Sequence, residues 1–347
     1  MQAGIFHGAN DVRVEEVPDS KLKSPVEAIV RVTYSCICGS DLWSYRGLSP
    51  KDKGARLGHE FIGEVVEVGK KVSKIKKGDF VIAPFWMIDG TCLMCKQGSS
   101  MACLNGSAWS RGDYDGGQGE MVRVPFADAS LFPFPVRKAL SKKLMPALLS
   151  LTDVMCTGHH AAVCAGVSKG STVAVIGDGA VGLCAVLASK RLGAKRIIHL
   201  SSHKDRAAIG KKFGATETVS ERGEAALAKI KKLTKGIGVD CVLECVGTKE
   251  SWDSAFGIAK EGGKIGWVGI PYGAPEIKLA DLFGKNVGIV GGRAPAHLYI
   301  PQLLPEVLSG KLDPSAIFDK TIKLKDLDAG YKAMDQRKAI KVMIDLT

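Results

Sequence analysis

Two periodicities divide this chain. As far as about residue 135, apolar and polar residues alternate in short runs broken by glycine and proline. Residues 28–34, 63–68, 80–84 and 120–125 read as strands, and together they suggest a small β-barrel-like domain. From Ser141 the pattern turns helical, and from Ser171 it becomes strand, glycine turn and helix, repeated. Strands are predicted at 172–176, 196–200, 239–244, 263–268 and 286–291, with helices between them, as in a doubly wound parallel sheet. Beyond Pro295 come a helix around 300–309 and strand-like segments including 340–345. No internal repeat or low-complexity linker interrupts the pattern.

Composition narrows the class. A chain of 347 residues suits two domains, and 46% hydrophobic residues with 41 glycines and 6% aromatics fits an α/β protein rich in tight turns. The closest approach to a membrane span, 171–189, is broken by Asp178 and its glycines, so no membrane partner is expected. The start, MQAGIFHGANDVRVEEV, lacks the basic and apolar regions of a signal peptide, and a cytoplasmic location is expected. The formal charge of +12 raises a nucleic-acid reading. The lysines, however, are spread over solvated faces without interleaved aromatics, so no nucleic-acid partner is expected and the charge serves to draw in anionic cofactors. Ten cysteines scattered over this length are no disulfide framework; Cys36, Cys156, Cys164, Cys184, Cys241 and Cys245 read as core thiols, and the clustered remainder as metal ligands.

The string GDGAVG follows the apolar strand TVAVI and opens a helix, the context that makes it a dinucleotide site. Gly177 makes the turn, Gly179 admits a pyrophosphate, Gly182 lets helix pack on strand, and the N–H groups of the helix start at Ala180 and Val181 hold the phosphates. An NAD site places an acid at the end of the second strand. Here that end carries Ser201, Ser202, His203 and Lys204, which suits a 2′-phosphate, so NADP(H) is preferred over NAD(H). Asp205 keeps the other choice open, since a small register shift would bring it to the ribose.

Cys38-Gly39-Ser40-Asp41 is followed by Gly58-His59-Glu60, the head of GHEFIGEVVEVGKKV, where glycines let the backbone crowd a thiol, an imidazole and a carboxylate together. Sulfur and nitrogen are donors Zn2+ favours. The long pattern resembles the signature of the zinc-dependent alcohol dehydrogenases of the medium-chain dehydrogenase/reductase superfamily, and the likeness spans essentially the whole chain.

The resemblance implies a GroES-like β-barrel catalytic domain at 1–153, completed by 296–347, and a Rossmann coenzyme domain at 154–295. It implies reversible hydride transfer between NADP(H) or NAD(H) and an alcohol, aldehyde or ketone. Asp153 stands four residues before Thr157-Gly158, where many relatives carry a cysteine, which makes Cys38, His59 and Asp153 the ligands of a catalytic zinc. Cys156 is a neighbouring competitor. Glu60 matches a carboxylate that joins and leaves the metal, Ser40 the hydroxyl that relays the substrate proton, and Asp41 a partner fixing the His59 tautomer. Trp43 stands where family relays often have a histidine. Lys341 matches a cation that contacts the pyrophosphate, the alternative being a surface lysine on an edge strand. Cys92, Cys95 and Cys103 match a structural zinc lobe in which Asp89 replaces the first cysteine, the alternative being three reduced thiols without metal. The Ser201–Lys204 string is similar to the Gly-Ser-Arg segment of NADP-dependent members. Trp43, Phe85, Trp86 and Trp109 fall in segments that line the relatives' substrate cleft and favour a bulky or hydrophobic substrate. Relatives form dimers or tetramers, so a homodimer or homotetramer is expected. Two other readings stand beside this one: a zinc-free quinone or enoyl reductase of the same superfamily, and a nonenzymatic zinc- or nucleotide-binding module.

Overall fold

The computed structural model describes residues 1–135, 142–271, 277 and 279–347. The expected helical start at Ser141 lies outside the described residues. Two compact units are present: Met1–Asp153 with Pro295–Thr347, and Val154–Ala294.

In the second unit six parallel strands lie in the order Glu217–Val219, Arg196–Leu200, Thr172–Ile176, Val239–Glu244, Ala259–Trp267, Gly288–Gly291. Strand order reverses on either side of Thr172–Ile176, and this crossover is where such sheets bind ligands at their carboxyl ends. Val173 to Val175 are fully buried, as parallel strands covered on both faces must be. Three predicted strands match to the residue. The last is shorter than expected and starts at Gly288, because Asn286 adopts a left-handed conformation (φ +52°) that ends the preceding helical turn.

In the first unit the strand Ala28–Cys36 is central. One edge pairs with Phe61–Val68; the other pairs with Met121–Val124 over its first half and with Lys341–Asp345 over its second. Flanked on both edges and covered on both faces, it is buried almost throughout rather than alternating. Phe80–Ala83 and Phe132–Phe134 extend the sheet on one side and Phe318–Lys323 on the other. A hairpin of Gln2–Gly8 and Asp11–Glu16, not among the predicted strands, packs through Phe6 and Val12 on Leu327 and Tyr331. A second core gathers Val30, Phe61, Val81, Val122 and Trp109. No helix among the described residues is long and apolar enough to cross a membrane.

Candidate functional site

Strand register assembles the first cluster. Ser35 pairs with Phe61, so His59 and Glu60 lie just beyond the end of that pairing, beside Cys36 to Cys38. Met343 pairs with Cys36, and Ile37 N–H bonds the Val342 carbonyl at 3.0 Å, which carries Lys341 alongside Cys38. Asp153 follows the helix Met145–Ser150, and the Thr152 carbonyl takes the Phe85 N–H at 2.9 Å, anchoring that segment to the sheet.

Cys38, His59, Glu60 and Asp153 offer one ligand atom each, all within 4.8 Å of one another. His59 Nε2 lies 3.4 Å from Asp153 Oδ2 and 3.9 Å from Glu60 Oε1, and Cys38 Sγ lies 3.7 Å from Asp153 Oδ2. Bonds of about 2.0–2.3 Å to one tetrahedral ion put its ligands about 3.3–3.8 Å apart, so these donors fit a zinc ion. Electrostatics agrees. Burial disfavours a charged His59, yet Asp41 and Cys38 raise its pKa well above the ordinary value, the mark of a pocket that calls for a cation. Asp41 Oδ1 sits 3.2 Å from Nδ1, which directs Nε2 at the other donors. Asp41 is itself positioned by the Cys38 N–H at 3.0 Å and by Gln118, whose amide Oε1 accepts from Tyr331. Sequence reasoning missed Gln118 and Tyr331.

Glu60 is fully buried and accepts from Lys341 Nζ at 2.6 Å and from Thr152 Oγ1 at 3.3 Å. Lys341 is only 1% exposed. This corrects the surface-lysine alternative: Lys341–Asp345 is an interior strand, and its first side chain turns inward to a carboxylate. Burial works to strip the proton, but Cys36 and Glu60 hold the Lys341 pKa well above its usual value. The ammonium is thus committed to Glu60 and the Ile37 carbonyl rather than presented at a surface. Ser40 precedes the helix Asp41–Tyr45 and makes no side-chain capping bond. Cys156 is buried in the helix Val154–Cys164 and is not among the four converging donors.

The second cluster joins Asp89, Cys92, Cys95 and Cys103, again with ligand atoms within 4.8 Å. Cys92 and Cys103 sulfurs are 3.9 Å apart, near the separation that two Zn–S bonds of about 2.3 Å require. Asp89 Oδ1 accepts from Thr91 N–H at 2.8 Å and Cys92 N–H at 3.0 Å, and Oδ2 from Asn105 at 2.6 Å. Burial would raise its pKa, but these bonds hold it well below the carboxylate range. Of the aromatics, Trp109 is a core residue: it is 2% exposed, packs edge-on to Phe61 and donates to the Pro84 carbonyl. Trp43, Phe85 and Trp86 are half-buried. Cys164 and Cys245 are likewise only partly buried, which corrects their reading as core thiols.

In the second unit Gly177 has φ +115°, and a Cβ on Gly182 would stand 2.0 Å from the Gly177 carbonyl oxygen, so both positions require glycine. The first helical bond runs from Leu183 N–H to the Gly179 carbonyl, which leaves the N–H groups of Ala180 and Val181 without helical acceptors. His199, fully buried, places Nε2 3.1 Å from the Gly177 carbonyl and braces the turn. At the end of the next strand Ser201 is buried, Ser202 and Lys204 are exposed, and His203 is half-buried. A carboxylate does reach this place, from Asp178 within the glycine loop: its Oδ2 accepts from Ser201 at 2.9 Å and His203 Nδ1 at 2.8 Å. Burial opposes the Asp178 charge, and His203 and Ser201 outweigh it, so the pKa falls. Asp205 is exposed in the helix Lys204–Phe213; the strand ends at Leu200 without the register shift that would turn it to the ribose.

Comparison with known proteins gives the family. Residues 24–135 match the family model of the alcohol dehydrogenase GroES-like domain, and residues 180–309 that of the zinc-binding dehydrogenase. Zinc-type alcohol dehydrogenase B of Aspergillus flavus is 34% identical over 99% of this chain and 81% of its own length. The glutathione-independent formaldehyde dehydrogenase of Bacillus subtilis is 32% identical over 99% of this chain and 96% of its own. Alcohol dehydrogenase TADH from Thermus sp. ATN1 superposes with a TM-score of 0.92, at 32% identity and 99% coverage of both chains. These matches count against the zinc-free and nonenzymatic readings. The chain belongs to the zinc-dependent alcohol dehydrogenases of the medium-chain dehydrogenase/reductase superfamily and is an NAD(P)-dependent oxidoreductase.

Proposed function

We propose that this enzyme is an NADP(H)-preferring alcohol dehydrogenase and carbonyl reductase with two zinc ions, one catalytic and one structural. The observation that carries the reading is the convergence of Cys38, His59, Glu60 and Asp153 at the separations one ion imposes. Bound there, zinc supplies a Lewis acid that acidifies an alcohol and polarises a carbonyl near neutral pH. The chain's own residues do the rest. Asp41 fixes the His59 tautomer. Lys341 and Thr152 draw Glu60 back, which weakens it as a fourth ligand and reserves a position for substrate. Ser40, free of capping duty and partly exposed, relays the hydroxyl proton of the substrate, accepting it as its own passes to solvent.

Asp89, Cys92, Cys95 and Cys103 hold the structural ion. Gly177 to Gly182 bind the pyrophosphate, with Ser201, Ser202, His203 and Lys204 at the adenosine ribose. Half-buried Trp43, Phe85 and Trp86 favour a hydrophobic alcohol, aldehyde or ketone. Ten free thiols suit a reducing compartment such as the cytoplasm. A second copy of the chain is the expected partner, in a dimer or tetramer: among the described residues Gly288–Gly291 is a sheet edge with no further strand on it, and Val290 is 52% exposed.

Metal analysis combined with NADPH oxidation against a panel of aldehydes and ketones tests the reading, with Cys38→Ser as the comparison. Wild type should carry two zinc ions per chain and turn over. Cys38→Ser should keep its circular dichroism, lose one ion and lose more than about 100-fold in turnover, since even a ligand's outer partners are worth 10–100-fold. Full turnover in Cys38→Ser would overturn the scheme.

A further inference from the structure

At the carboxyl ends of three adjacent strands, Thr172–Ile176, Arg196–Leu200 and Glu217–Val219, two sets of charged groups stand beside the Glu221–Lys229 pair, whose charged atoms are 2.8 Å apart. One set is closed on itself. Asp178 Oδ2 is occupied by Ser201 and His203, and Arg206 stands 3.4 Å from Oδ1, so this carboxylate meets two potential cations from within the fold. The Arg206 side chain is only 11% exposed, spent on that contact.

The other set is open. Arg222, at the N-cap of the helix Gly223–Leu233, sends Nη2 to Ser202 Oγ at 2.7 Å. Both residues are exposed, and among the described residues no carboxylate lies within ion-pair distance of Arg222. A guanidinium carries five N–H donors in a planar fork, and one neutral hydroxyl uses a single donor. The donors left over on this guanidinium, beside a hydroxyl, are the kind that a phosphate takes in bidentate fashion. Ser202 lies where the strand end meets the adenosine ribose in a doubly wound sheet. The Arg206 guanidinium beside Asp178, together with the hydrogen bonds from Ser201 and His203, offsets the repulsion that this carboxylate would exert on such an anion.

We infer that Arg222, acting with the Ser202 hydroxyl, is the residue that selects a dinucleotide bearing a 2′-phosphate. The inference rests on the NADP(H) reading above and adds to it a residue from the loop after Glu217–Val219, which no sequence pattern singles out. Lys204 is exposed in the first turn of its helix, and His203 Nδ1 is engaged by Asp178, so neither supplies the same fork.

Arg222→Ala and Arg222→Lys test it. The ratio of kcat/KM for NADPH over NADH should fall at least about tenfold in Arg222→Ala, the low end for losing a charge-assisted pair, with the NADH value unchanged. Calorimetry should show adenosine 2′,5′-bisphosphate bound at least about tenfold more weakly while 5′-AMP binds as before, and Arg222→Lys should recover part of the loss. Unchanged 5′-AMP affinity shows that the site has stayed folded. If wild type prefers NADPH and Arg222→Ala leaves both the ratio and the bisphosphate affinity unmoved, the inference alone falls. If wild type prefers NADH, the cofactor reading falls and takes the inference with it.

Discussion

Replacing Lys341 by methionine removes the buried cation that faces Glu60. Glu60 is 0% exposed and Lys341 1%, and their charged atoms are 2.6 Å apart. Methionine keeps the length of the chain and removes the charge. Glu60 would then keep, of these two bonds, only the Thr152 hydroxyl at 3.3 Å. In metal-free protein, breaking one side of this buried pair costs about 3–5 kcal/mol, because the remaining ion is neither hydrated nor matched. At about 2–4 °C per kcal/mol for a domain of 150–250 residues, the melting temperature should drop by roughly 6–20 °C. Glu60→Gln alone leaves a buried ammonium and should cost a similar amount. The double variant Lys341→Met with Glu60→Gln buries no lone charge and should regain most of the loss. Thermal melts and urea titrations of wild type, both single variants and the double variant close the cycle. A Lys341→Met protein that melts within about 2 °C of wild type, or a double variant no more stable than the single, would refute the reasoning.

Two further outcomes follow from buried polar groups elsewhere. Asp89→Ala should destabilise the lobe by about 2–3 kcal/mol, since three N–H donors lose their acceptor, and should let a chelator strip one metal ion per chain faster than from wild type, while turnover per remaining catalytic ion is kept; the same stripping rate in both proteins would count against a site there. Burial pushes the His297 pKa down to about 4, below the value of about 6.5 in an unfolded chain. The unfolded state therefore binds the extra proton first. The contribution is complete above about pH 6.5 and is lost as pH falls towards 4, up to about 3 kcal/mol. His297→Phe should flatten the fall in melting temperature between about pH 7 and about pH 5, and equal slopes for the two proteins would exclude the effect.

What could be read from the sequence was what the backbone encodes locally. GDGAVG dictates its own turn, because Gly177 needs φ +115° and Gly182 has no room for a Cβ, and the apolar strand and helix on either side need no distant partner to be recognised. The Cys38, His59 and Asp153 set came from resemblance, and only strand register and the helix before Asp153 give it a shape. Lys341 shows the limit. KAIKVMI is compatible with a surface strand or an interior one, and the pairing of Met343 with Cys36, about three hundred positions away, decides the matter. Asp178 and Arg222 were hidden for a related reason: each is legible as a loop residue, but its meaning lies in the neighbouring loop it reaches. Trp109 read as cleft lining because its segment suggested it, and the side chain instead found Phe61 and the Pro84 carbonyl.

The two clusters that the proposed function assigns to zinc share one substitution, and it would serve each differently. Both carry an aspartate where the relatives' pattern has a sulfur. At Asp89 the two oxygens already accept three N–H bonds, which draw electron density away from any cation, so the three sulfurs of Cys92, Cys95 and Cys103 must supply most of the binding there. That is a soft, closed set suited to holding an ion in place. The catalytic cluster has one sulfur, one nitrogen and two carboxylates, one of them drawn back by Lys341. Oxygen donates less density than sulfur, so an ion in this set keeps more of its own charge for whatever occupies the remaining position. On the reading proposed above, the same replacement would leave the lobe a clamp and would make an ion held by Cys38, His59 and Asp153 a stronger Lewis acid, with the buried pair of Glu60 and Lys341 keeping the fourth carboxylate from blunting it.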